Sequence, residues 1–208
     1  MSHSSRTAVS VLISTYNKPP LLERALLAYE RQTFRDFEVI VTDDGSGPET
    51  ERLIRDIERR GRLRLKHVRQ EDRGFRLARV RNLGMTAARG DYIVFTDQDC
   101  LAGPGFLAAH SGLARRRRIV QGGRRFLSKR ATEYLLSLPA DWAGRVDLSP
   151  YAVRHPAEDI LVQAFARRFG ALTGSNVSGF KADFLRAGGF EERYEGWGAE
   201  DLDLGYRL

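Results

Sequence analysis

Four short strand-like segments recur through the first half of the chain, and stretches with helical spacing separate them. This alternation restricts the fold more than any other feature. The segments are VSVLIS (Val9 to Ser14), FEVIVTD (Phe37 to Asp43), RLRLKHV (Arg62 to Val68) and DYIVFTD (Asp91 to Asp97). Between the first two, PPLLERALLAYERQ opens with prolines and repeats apolar residues on one helical face. Next, SGPETERLIRDIERR holds Ser46 and Glu49 at capping-box spacing, with Pro48 in the first turn and Gly61 after the last. A third helix is marked by Leu77, Val80, Leu83, Gly84 and Ala87 and is closed by Gly90. Strands alternating with helices of about 10 to 15 residues build βαβ units, and these predict an α/β fold with a largely parallel sheet. Ligands of such sheets sit beyond the carboxyl ends of the strands. The residues there are Ser14-Thr15-Tyr16-Asn17, Asp43-Asp44-Gly45-Ser46 and Asp97-Gln98-Asp99, all polar and two of the three acidic.

The second half is less regular. Helical patterns at Gly105 to Arg115, Ser128 to Ser137 and Glu158 to Phe169 are interrupted by LPADWAGRVDLSPYAVRHP, whose prolines and lone tryptophan predict a loop over the core. A strand SNVSGF and a short helix from Ala182 to Ala187 lead through Gly188-Gly189-Phe190 into GWGAEDLDLGYRL. With 208 residues and 42% hydrophobic content, the chain suits one domain or two intimate halves. Cys100 has no second cysteine to pair with, which fits a reducing compartment. The N-terminus has neither a signal-peptide pattern nor a spanning apolar run, so a soluble, cytoplasmic protein is expected.

Charge narrows the partners. Lys and Arg number 34 against 27 acids, a net +7 that includes the run Arg115 to Arg118. Such an excess attracts nucleic acid, an anionic membrane face or phosphorylated small molecules. The run also suits a solvated helix end, where cations complement the dipole.

The informative short motif is Asp97-Gln98-Asp99. Alternate residues of an extended segment point the same way, so the two carboxylates converge at a strand end. Hard divalent cations such as Mg²⁺ or Mn²⁺ take one or two such oxygens and complete their shell with phosphate and water. Asp43 and Asp44 suit a turn capped by Ser46, and equally a hydrogen bond from a base N–H. Arg76, Arg79 and Arg81, with Asn82, gather near a helix start, where cations oppose the macrodipole, so they predict a bound anion. Glu200 and Asp201 suit the acidic first turn of a last helix. They also diverge by about 100°, which lets each serve a different partner. The first strand is not followed by G-x-G-x-x-G, and GSNVSGFK departs from a P-loop, so nicotinamide and P-loop chemistry are excluded. The four histidines show no metal-ligand spacing, and no G-x-S-x-G is present.

Three segments together, VSVLISTYNKPPLLERALLAYERQTFRDFEVIVTDDGS, RVRNLGMTAARGDYIVFTDQD and GGFEERYEGWGAEDLDLGYRL, resemble family 2 glycosyltransferases of the GT-A fold. The acceptor region is similar to the galactosyltransferase and chondroitin-polymerase type, and the likeness runs from Ala8 to Leu208. The resemblance implies a mixed, mostly parallel Rossmann-like sheet, with residues 8–100 forming a nucleotide-sugar-binding half and residues 101–208 an acceptor-binding and catalytic half of the same domain. It implies inverting, metal-dependent transfer of a hexose or N-acetylhexosamine from a UDP-sugar to a hydroxyl of a glycan or lipid-linked sugar. Carried over, Thr15, Tyr16, Asp43 and Asp44 border the base, Arg81 lies near the nucleotide, and Asp97 meets the ribose or donor sugar. Asp99 holds Mn²⁺ or Mg²⁺, Trp197 packs on the sugars, Glu200 binds acceptor hydroxyls and Asp201 is the general base. The family often adds a histidine metal ligand downstream, and the chain reads as cut within its last helix. The charge adds peripheral contact at the inner face of the membrane. The competing readings are a catalytically impaired carbohydrate-binding protein, a nucleotidyltransferase and a basic nucleic-acid-binding module.

Overall fold

Strand β1 (Val9–Thr15) is buried along its whole length, and the sheet assembles around it. The structure, a computed structural model, describes residues 9–139, 152–153 and 172–208. β1 pairs in parallel with β2 (Phe37–Asp43) on one side and with β4 (Tyr92–Asp97) on the other, and β3 (Leu65–Arg69) pairs in parallel with β2. Helices α1 (Pro19–Tyr29), α2 (Pro48–Arg60) and α3 (Leu77–Ala87) make the crossovers, as the alternating pattern predicts.

Beyond β4 the direction reverses. β8 (Asn176–Phe180) runs antiparallel to β4, and β5 (Val120–Gln121) antiparallel to β8, giving the order β3-β2-β1-β4-β8-β5. A separate two-stranded ladder joins β6 (Phe126–Leu127) to β7 (Ala152–Val153). Strands of two residues have no period to detect, so β5, β6 and β7 escape a pattern search. The remaining helices among the described residues are α4 (Phe106–Leu113), α5 (Lys129–Ser137), α6 (Lys181–Arg186) and α7 (Glu200–Arg207). The expected helix from Glu158 to Phe169 and the loop around Trp142 lie outside the described residues.

Side-chain alternation along the strands gives the sheet two covered faces. Val11, Ile13, Val39, Val41 and Val94 pack with Leu22 and Leu26 of α1, Ile54 and Ile57 of α2, and Leu107 and Leu135. Leu12, Ile40, Ile93, Phe95 and Val177 pack with Met85 of α3, Phe184 of α6, Phe190 and Leu204 of α7. Full burial of each such side chain contributes about 1.5–3 kcal/mol. α3 lies unusually close to the sheet, because a Cβ at Gly84 would collide with Thr42 and Leu12. Residues three apart share a helix face, so the same approach sets Arg81 against the strand ends.

The predicted capping box is not formed. Gly47 is the N-cap of α2 and no side chain caps it. Ser46 is committed elsewhere: its N–H donates to Asp43 Oδ1 (2.8 Å) and its Oγ accepts from the Asn17 N–H (3.0 Å). The arginine run begins two residues after α4, where Arg115 donates to the Ala114 carbonyl (2.7 Å), as a helix-end cation should.

Candidate active site

The sheet register lines up three strand ends: Thr15 lies opposite Asp43, and Ser14 opposite Asp97. Gln98, the middle residue of the acidic motif, turns toward β1. Its Oε1 accepts from Thr15 Oγ1 (2.6 Å) and from the Tyr16 N–H (3.2 Å), while its backbone N–H donates to the Ser14 carbonyl (2.9 Å). That last bond ties the turn after β4 to the end of β1. Thr15 is buried there, whereas the ring of Tyr16 stays 42% exposed at the cleft. The Tyr16 hydroxyl donates to Asp72 (3.1 Å), and that bond, with the Asp72 charge, raises its pKa.

The β2 end is a closed turn. Asp43 is fully buried, accepting from the Ser46 N–H and meeting His67 Nε2 at 2.9 Å. Burial is the largest influence on its carboxyl and pushes the pKa up, but the His67 and Ser46 bonds together carry it below the usual value. Asp44 is also buried, accepting from the Arg76 N–H (2.8 Å) and from the Gln70 amide. Gly45 follows at φ +94°, with Asp72 backbone atoms 2.5 Å from where a Cβ would stand. Both carboxylates are therefore occupied by the chain itself. The bonds that hold them build the turn at the end of β2.

At the end of β4 the ligand atoms of Asp97, Asp99 and Cys100 lie within 4.8 Å of one another. Asp99 is exposed, and Asp97 is partly so. Burial pushes the Asp97 carboxyl up, while Arg81 pulls it back. The Cys100 thiol is pushed up to about 12, first by burial and then by Asp97 and Asp99. A protonated thiol beside two carboxylates is an oxygen site, and oxygen donors suit Mg²⁺ or Mn²⁺. The residues present thus fit a hard divalent cation held by Asp99 and Asp97.

Arg81 stands between this end and α7. It is 2% exposed and makes three directed bonds: Nε to Ser14 Oγ (3.3 Å), Nη2 to Asp97 Oδ1 (3.2 Å) and Nη1 to Glu200 Oε1 (3.1 Å). Its guanidinium carbon lies 5.3 Å from the Phe190 ring centre. Both of its carboxylate partners are the protein's own. Burial also pushes Glu200 up, against the opposing pull of Arg81. Arg76 donates to the Glu71 carbonyl instead, and Arg79 is exposed.

Asp201 follows Glu200 at the start of α7. Its Oδ2 accepts from the Gly174 N–H (3.0 Å) and its Oδ1 from the Leu202 N–H (2.9 Å), so the carboxylate is oriented yet partly exposed. Trp197 is 93% exposed and touches the site through no bond described here. Two contributors escaped the sequence reading. Gly174 belongs to the GSNVSGFK segment that departs from a P-loop, yet its backbone supports Asp201. Arg124, exposed on the β5–β6 loop over Phe126 (5.6 Å), sends its charge to Asp97 and Cys100. The pair Gly122-Gly123 before two arginines was the available signal.

The chain as a whole has matches among known proteins. The profile of Glycosyl transferase family 2 matches residues 10–167, and that of the N-terminal domain of galactosyltransferase matches residues 161–208. A validoxylamine A glucosyltransferase of Streptomyces hygroscopicus subsp. jinggangensis is 39% identical over 96% of this chain and 51% of its own length. Chondroitin synthase of Escherichia coli is 31% identical over 96% of this chain and 32% of its own. The chain thus spans about half, or less, of these curated relatives. Among solved structures, the mannosyltransferase PcManGT of Pyrobaculum calidifontis, in complex with GDP-Man and Mn²⁺, superimposes with TM-score 0.63 at 25% identity over 96% of this chain and 51% of that one. TarS of S. aureus in complex with UDP-GlcNAc gives TM-score 0.63 at 20% identity, over 96% and 52% of the two chains, a likeness of fold. By profile, relatives and the mixed sheet with its acidic strand end, this chain belongs to glycosyl transferase family 2 and has the GT-A fold.

Proposed function

We propose that the chain catalyses metal-dependent, inverting transfer of a sugar from a UDP-sugar to a hydroxyl of a glycan or lipid-linked acceptor. The observation that carries this reading is the opposition of two acidic ends, Asp97 and Asp99 after β4 and Glu200 and Asp201 at the start of α7, with Arg81 bonded to both. The relatives named for glucosyl transfer and chondroitin synthesis support the reaction class.

Asp201 accepts the proton of the acceptor hydroxyl, and the freed oxygen forms its bond to the anomeric carbon from the face opposite the leaving group. The bond from that carbon to the diphosphate oxygen breaks, and the diphosphate leaves with the electron pair. A divalent cation held by Asp99, when bound, supplies positive charge to the diphosphate. Arg124 adds a second positive charge on the same side. The exposed faces of Tyr16 and Trp197 offer stacking surfaces for base and sugar. Glu200, fixed by Arg81, presents its remaining oxygen to acceptor hydroxyls.

A panel of UDP-sugars with Mn²⁺, followed by UDP release with and without EDTA, tests the reading. We expect release with at least one donor and its loss in EDTA. Failure of every nucleotide sugar to bind overturns it.

A further inference from the structure

We propose that Arg81 is a positioning residue that couples the two halves of the site, so that a change of charge at Glu200 alters how the donor side binds. The inference rests on the function proposed above. A single buried cation is shared between two carboxylates that lie far apart in sequence, Asp97 beside the donor and Glu200 beside the acceptor. Burying a guanidinium is unfavourable unless its donors are used, and here Nε, Nη1 and Nη2 all are. A lysine ammonium, a point charge on a flexible stem, cannot reproduce three divergent bonds.

The guanidinium is also boxed in. The Phe190 ring lies on it, and the Gly174 backbone passes so close that a Cβ there would stand 2.5 Å from Nη1. Arg81 therefore cannot follow one carboxylate without loosening its hold on the other. If Glu200 loses its charge, the whole attraction of Arg81 falls on Asp97, and less of the Asp97 carboxylate remains for a donor or its cation. The same Gly174 donates to Asp201, so the loop that confines Arg81 also holds the proposed base.

Titration calorimetry of UDP and of GDP, each with Mn²⁺ and in EDTA, tests the coupling without an acceptor or turnover. Wild type is compared with Glu200→Gln, with Gly174→Ala, which crowds Arg81 while changing no charge, and with Asp203→Asn as a control on the same helix. Coupling free energies between sites correspond to about a fivefold change or more. We expect Glu200→Gln and Gly174→Ala to weaken Mn²⁺-dependent binding by at least about that factor, with Asp203→Asn at wild-type affinity. Thermal melts of each variant identify any loss of folding, and either folded variant alone decides. A folded Glu200→Gln or Gly174→Ala that binds as wild type overturns the coupling and leaves the proposed function standing. Wild type that binds neither nucleotide overturns both.

Discussion

Replacing Arg81 by Met keeps much of the side-chain volume and removes the charge. Two anions are then left without their cation. The Glu200 side chain is 7% exposed, so water replaces the lost bond poorly, whereas the Asp97 side chain is 30% exposed and is rehydrated more readily. Breaking a buried pair by removing one partner costs about 3–5 kcal/mol. Most of that falls on Glu200, and we expect a loss of about 4 kcal/mol at pH 7.5. For a chain of this size this lowers Tm by about 8–16 °C. The penalty depends on pH with a definite sign. Burial already raises the Glu200 carboxyl, and without Arg81 it rises further above its unfolded value. A raised carboxyl destabilises the fold at high pH, and the penalty is relieved as pH falls through the folded pKa. Urea melts of wild type and Arg81→Met between pH 8 and pH 5 should converge on acidification, and adding Glu200→Gln should restore part of the loss at pH 7.5. A single-variant loss below about 1 kcal/mol, the value of an exposed pair, would refute the argument.

Asp201→Asn should reduce kcat by about a hundredfold to ten thousandfold while leaving donor affinity little changed, since only the base is lost; near-normal turnover would remove Asp201 from that role. His110 is buried between Ser178 Oγ (2.6 Å) and Asn176 Oδ1 (3.0 Å), and burial lowers its pKa. Its contribution is therefore fully present above about pH 6.5 and lost as pH falls through the lowered value, so His110→Gln should flatten the Tm profile in that window. Ala199 precedes α7 at φ +74°, a conformation costing about 1–2 kcal/mol for a residue with a Cβ; Ala199→Gly should raise stability in urea melts by up to about 1 kcal/mol, part of the gain being offset by unfolded-chain entropy. We propose that the arginines after α4 favour anionic membranes: sedimentation with phosphatidylserine vesicles should fall as salt rises and drop on replacing Arg117 and Arg118 with Ser, and salt-independent sedimentation would count against it.

The first half of the fold was legible because its information is local. Short continuous apolar runs define β1, β2 and β4, period-3.6 runs define α1 to α3, and the strand ends name themselves once the order is known. Of the later strands, β8 was legible as SNVSGF, but its antiparallel place was not, because its partners lie far away in sequence, and β5 and β6 are only two residues long. The acidic motif and the Glu200-Asp201 pair could be picked out as residue types with chemistry. What Arg81 touches could not, since its partners come from β1, β4 and α7. Asp43 shows the same limit: its bond to His67, 24 positions on, is one that no local pattern connects to it.

The ends of the six-stranded sheet bear on how the protein survives at high concentration. A sheet edge exposes unpaired N–H and C=O groups that invite another chain to add a strand. Among the described residues one edge is β5, only two residues long, which offers almost no template. The other is β3, which carries Lys66 and Arg69, so a second copy approaching in register would bring like charges together. Brevity at one edge and repulsion at the other discourage open-ended stacking of the sheet, and substitutions that lengthen β5 or neutralise β3 should show first as aggregation.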